Sequence, residues 1–343
     1  MASSALLTHP DILSQILRYA DKASIARCMQ VSWSFFTLCS PFLYANITLI
    51  PDEADAIFRG ASTGPMIYSD CTEREMKREL LRHVQIIGIR EHGKCNGFAG
   101  NTACTRWRGI GIEFPHLKIL RIWEPPSVYV GDWWSCPWIK SFNYDKLIMR
   151  DIRYLSAGGP YTFAPSELLG KPSKVVITIR GLNDLREVNK DVITPKPRRD
   201  YPSLQNDRVP PVRPDMETVI IFWAERPSQK WNEEGPPIGI DELYNLIEQL
   251  SICASVQTRK LVICNADKIP LLDKTPEDTK IFIENAMKET VQAISNGRNE
   301  QKQAKARLDV LHFMSFEEYL ELEDWKGEFD KEEIEDWLKP KED

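Results

Sequence analysis

A chain of 343 residues with 42% hydrophobic and 27% charged side chains has enough apolar material for a core of its own, which excludes a disordered or bilayer-embedded protein. The net charge of −6 is uneven: residues 315–343 carry 13 Asp/Glu against 4 Lys/Arg, or −9, leaving about +3 for the rest. That balance excludes the basic surplus of a nucleic-acid binder, and no apolar run reaches the ~20 residues of a membrane span.

Neither nucleic acid nor a membrane is therefore expected as a partner. With no signal-like stretch in "MASSALLTHPD", the expected location is cytoplasmic or nuclear. The eight scattered cysteines read as reduced, structural thiols.

Residues 11–20 read as a helix on which Ile12, Leu13, Ile16, Leu17, Tyr19 and Ala20 share one arc of roughly 160°, taken as its inward face. Pro10 suits a first helical turn, and Asp21 or Ser24 can cap the next helical segment. Projected as one helix, residues 25–39 are apolar over roughly 240°, with only Arg27, Gln30, Ser34 and Thr37 as a polar strip. Such a surplus is shared between the rest of the chain and another protein, or is wholly absorbed as an N-terminal cap. Periodicity leaves both open.

The order Pro10, Ile12-Leu13, Ile16-Leu17, Ile25, Arg27-Cys28, Val31-Ser32, Phe35-Phe36, Pro41 and Tyr44, followed by "ANITLI", resembles an F-box, particularly its fungal form. His9 stands where that pattern usually has Leu, and Trp33 where a basic residue is common. The resemblance implies that Pro10, Ile12, Leu13, Ile16, Val31 and Trp33 contact the small acidic adaptor that links F-box proteins to a cullin ubiquitin ligase. It further implies that Phe35, Phe36, Phe42 and Tyr44 anchor the module to the downstream chain.

Beyond residue 50, nearly continuous apolar runs predict strands at 83–89, 117–122, 146–152, 174–179, 218–223, 260–264 and 308–313. Helices are expected over 72–83, 241–256 and 275–306, the last breaking near Asn296-Gly297. Alternation of helix and strand argues for an α/β body with right-handed crossovers. "FPHLKILRI" resembles the strand segment of a leucine-rich repeat, with weaker versions in "LRHVQIIGI" and "TRKLVICNA". The implied fold class is α/β: a small N-terminal helical F-box-like module (1–50), then an irregular leucine-rich-repeat-like solenoid (51–314), then an acidic C-terminal cap (315–343). A compact doubly wound sheet is the alternative body.

Residues 191–216, rich in proline and basic residues, predict a long surface insertion, and 225–239 a second loop. No phosphate loop, nucleophile elbow or zincin motif occurs, so no enzyme activity and no cofactor are expected. His83, His92, Cys95 and Cys104 lack the paired spacing of a zinc site, and no metal is expected. Trp123, Trp133, Trp134 and Trp138 serve either as interface anchors or as plugs between irregular repeats. In a solenoid, the loops after strands place Trp123, Glu124, Trp223 and Glu225 within reach of a target protein. The expected function is a substrate receptor of a cullin-type (SCF) ubiquitin ligase. The alternative is a non-ligase interaction scaffold whose N-terminal helices are only a structural cap.

Overall fold

Asp21 and Ser32 divide the N-terminal segment into three helices. In the computed structural model these are α1 (Pro10–Tyr19), α2 (Lys22–Met29) and α3 (Trp33–Tyr44). The backbone N–H of Ser24 donates to Asp21 Oδ1 at 2.8 Å, and that of Phe35 donates to Ser32 Oγ at 3.3 Å. Each contact satisfies an amide that the first helical turn leaves open.

Ser32 itself is extended, with φ −163° and ψ 164°. Residues 25–39 are thus two helices rather than one, and the apolar surround of a single projected helix does not exist. Ser32→Ala is expected to cost about 1 kcal/mol. A lowered urea midpoint for loss of the N-terminal helices measures it.

The structure describes residues 10–50, 55–58, 71–90, 113–123, 136, 138–152, 172–179, 216–222, 247, 251, 259–269, 275–297, 301–322 and 325–338. The chain divides into two compact units, Met1–Asp145 and Lys146–Asp343.

In the first unit, β1 (Asn46–Leu49), β2 (Ile86–Ile89) and β3 (Ile119–Trp123) pair in parallel and in chain order. Parallel neighbours need a crossover connection, and between β1 and β2 lie α4 (Asp55–Phe58) and α5 (Cys71–Arg82). Side chains alternate across the pleat. Ile47, Ile87 and Leu120 therefore share one buried face with Leu49, Ile89 and Ile122.

The opposite face carries Thr48, Gly88 and Arg121 in register. Gly88 is glycine for a steric reason: a Cβ there would lie 2.8 Å from Cζ3 of Trp123 and 3.4 Å from Oγ1 of Thr48. Gly88→Ala is expected to push the indole aside at a cost of about 1–3 kcal/mol. Chemical denaturation compared with wild type reads that loss. Phe58, Phe114, Trp138 and Phe142 add an aromatic cluster, in which the Trp138 ring meets Phe142 at 5.0 Å and Phe58 at 6.0 Å, edge to face.

The second unit contains β4 (Lys146–Ile152), β5 (Lys174–Ile179), β6 (Glu217–Phe222), β7 (Lys260–Cys264) and β8 (Leu311–Met314). All four neighbouring pairs are parallel and sequential. Within neither unit does the strand order reverse, whereas a doubly wound sheet must reverse it at its switch point.

One face of β4–β7 is apolar apart from Thr218: Leu147, Val175, Leu261, Met149, Ile177, Ile220 and Ile263 are all buried. Near these strands in sequence, α6 (Pro276–Gly297) buries Ile283, Met287, Val291 and Ile294. Ser251 Oγ donates to the carbonyls of Ile247 at 2.7 Å and Met287 at 3.4 Å. Ile247 and Ser251 are helical, and the rest of the expected 241–256 helix lies outside the described residues.

α6 ends at Gly297, and α7 (Gln301–Asp309) comes next, as the Asn-Gly break predicts. The last strand begins at Leu311 rather than 308, because Leu308 and Asp309 complete α7. The acidic end forms α8 (Phe316–Leu322) and α9 (Lys331–Leu338). α8 opens on a reciprocal cap, Ser315 N–H donating to Glu318 Oε2 at 2.7 Å and Glu318 N–H to Ser315 Oγ at 3.1 Å, and at α9 the Asp330 N–H donates to Glu333 Oε2 at 3.0 Å.

Candidate functional site

Four residues of the N-terminal module form its own centre: Leu13, Leu17, Ile25 and Cys39, with Phe35, Leu38, Phe42 and Leu43 packed against them. Burial pushes the Cys39 thiol up from its ordinary value, with Cys28 adding to the shift. Phe35 and Phe42 thus pack on the module's interior. Tyr44 does reach beyond it, with the Lys77 ammonium of α5 lying 5.4 Å from the centre of its ring. Burial raises the Tyr44 phenol and lowers the Lys77 ammonium, so both are shifted towards their neutral forms.

With the core filled from Leu13 and Leu17, the other apolar positions of α1 turn outward. Ile12 and Ile16 are each 52% exposed and Tyr19 92%, at the i, i+4, i+7 spacing of one helix stripe. The single inward arc expected for α1 is therefore two arcs. Leu13, at 6% exposure, packs inside the module and does not present its side chain to a partner. Tyr19, absent from the expected adaptor set, extends the outward stripe; its i+7 spacing from Ile12 was the available signal.

Val31 and Trp33 are also outside, at 68% and 70% exposure. They flank Ser32, whose extended backbone interrupts the helix there. The Trp33 ring stacks on Phe36 at 5.0 Å and 12°, which fixes one ring face and leaves the rest of the indole open. Pro10 begins α1, as its fixed φ and missing N–H allow. The surface holds large apolar side chains and no constellation of acid, base and nucleophile.

Trp123 closes β3, half-buried, with the Arg90 guanidinium 4.8 Å from its ring centre. Glu124, Trp223 and Glu225 lie outside the described residues, as do Trp133, Trp134, His92, Cys95, Cys104 and the 191–215 and 225–239 loops. Trp138, by contrast, is a buried member of the aromatic cluster. Among the described residues, no group of three His, Cys, Asp or Glu side chains could hold a metal ion, and no helix is long and apolar enough to cross a membrane.

The N-terminal segment is a three-helix module with its own small core and an exposed apolar stripe. Residues 10–50 match the F-box-like family, bounds that coincide with α1 to β1. Compared with curated proteins and with solved structures, the chain has no significant match in either.

Proposed function

We propose that this chain is a substrate receptor of a cullin-type (SCF) ubiquitin ligase. The F-box-like match supports the general role, since F-box domains bind adaptors of such ligases. The observation that carries the reading is the exposure of Ile12, Ile16, Val31 and Trp33 on a module whose core is already complete without them. A segment acting only as an internal cap would spend those side chains on the body of its own chain.

In this reading Ile12, Ile16, Tyr19, Val31 and Trp33 dock on the small acidic adaptor, Pro10 sets the start of α1, and the adaptor connects to the cullin. The body, proposed as a degenerate leucine-rich-repeat-like solenoid on the strength of its sequential parallel strands, selects the target protein. Trp123, Glu124, Trp223 and Glu225 are proposed as target contacts at the strand ends. The chain performs no bond chemistry itself; ubiquitin transfer belongs to other subunits. Co-purification of the full chain with the adaptor tests the proposal: a stable one-to-one complex is expected, and failure to form any complex overturns it.

A further inference from the structure

Both faces of the second unit's strands are largely apolar, the second carrying Ile148, Val176, Val219 and Val262 in register and buried, but only the second also bears cations. On that second face, register aligns Lys146, Lys174, Glu217 and Lys260 in one row across β4 to β7, and Arg150 lies further along on the same side of β4. Arg150, at 0% exposure, and Lys174 are buried, while Lys146, Glu217 and Lys260 are half-buried. Residues 316–322 and 325–338 meet the face's cations on β4 and β5.

These contacts are read out cation by cation. Glu328 Oε1 lies 3.0 Å from Lys146 Nζ and 2.9 Å from Lys174 Nζ, while its Oε2 accepts from the Tyr319 hydroxyl at 2.5 Å. Burial, and then the Glu328 carboxylate, push the Tyr319 phenol far above its usual range, so it stays a donor. Glu333 grips Arg150 with both oxygens, Nη1 to Oε2 being 2.8 Å. The same guanidinium lies 5.8 Å from the Phe329 ring and 5.4 Å from Trp337, and Lys174 Nζ lies 4.9 Å from Tyr319. Arg150 and Lys174 thus each meet a carboxylate and an aromatic face.

Cover alone would be served at least as well by apolar side chains at these positions too, as it is by Ile148, Val176, Val219 and Val262 on the same face. Removing paired charges from water recovers little net stability, which leaves selectivity for the occupant as a role that these contacts can fill. The occupant is also separable: α8 and α9 have only seven and eight residues, too short to persist alone, and their order depends on this docking.

We infer that the charged face of β4 and β5 is a recognition site for an acidic, aromatic-bearing protein segment, and that residues 315–338 are its resident intramolecular ligand. A partner segment that places glutamates and rings at the spacing of Glu328, Phe329, Glu333 and Trp337 competes for the same cations and displaces the C-terminal helices. This inference concerns the second unit alone and stands whether or not the N-terminal module binds an adaptor.

The test uses the full chain and a fluorescent peptide of residues 315–338 added in trans, followed by anisotropy. Glu328→Gln with Glu333→Gln weakens the resident segment, so the peptide is expected to bind the double variant at least tenfold more tightly than wild type. Adding Lys174→Glu to that variant is expected to abolish binding, as is replacing Phe316, Tyr319, Phe329 and Trp337 of the peptide with Ala. Equal binding to wild type and double variant, binding to neither, or full binding by the ring-less peptide overturns the inference. Should the double variant not fold, native-state amide exchange of wild type decides: α8 and α9 amides are expected to exchange at least a hundredfold faster than those of β5 and β6. Exchange of all four elements only by global unfolding overturns it.

Discussion

Ile12→Asp in the full chain is expected to weaken adaptor binding by roughly thirty- to a thousandfold, the ~2–4 kcal/mol of a desolvated interface anchor, while leaving the fold intact. The side chain is half exposed and outside the module's core cluster, so a carboxylate there stays hydrated in the free chain. It loses that hydration only on docking. Leu13→Asp, one residue away, is expected to behave oppositely. Its carboxylate would sit among Leu17, Ile25 and Cys39, where an unpaired charge costs more than ~4 kcal/mol and unfolds the module before any docking occurs.

Calorimetry of adaptor binding, paired with urea denaturation of each free variant, separates the two. Wild-type stability to within about 0.5 kcal/mol is expected for Ile12→Asp. Loss of both stability and binding by Ile12→Asp would place it in the core, and unchanged binding would remove α1 from the adaptor surface.

Trp138→Ala is expected to destabilise the first unit by about 3–5 kcal/mol, as truncation of a large buried aromatic does when its neighbours cannot collapse into the space. The indole is 3% exposed and packs edge to face on Phe58 and Phe142. Its energy therefore lies in folding rather than in recognition. Urea denaturation followed by the remaining tryptophan fluorescence measures the loss. A variant as stable as wild type would instead make Trp138 a docking residue.

The strand pattern of the body was legible because parallel strands buried on both faces write themselves as unbroken runs of Val, Ile and Leu. "KLIMRDI", "KVVITI" and "KLVIC" are β4, β5 and β7 with the expected bounds. The charged residues at their starts, Lys146, Lys174 and Lys260, looked like ordinary strand edges. What Lys146 and Lys174 face is set by Glu328, more than 150 positions away. Long-range ion pairs leave no periodic trace.

On the N-terminal module the division is finer. The local order of residues in 10–50 determined the first helix, the cap at Asp21 and the F-box-like pattern, since capping and spacing are properties of neighbours in the chain. The cap at Ser32 that splits 25–39 into two helices emerged only in the structure. Which of Ile12, Leu13, Ile16, Leu17 and Tyr19 turns inward was decided by the tertiary structure alone. Adjacent apolar positions on a helix are 100° apart and energetically equivalent until something packs against one of them. Ile25, Cys39 and Phe42 pack against Leu13 and Leu17, and that contact leaves Ile12, Ile16 and Tyr19 as the surface.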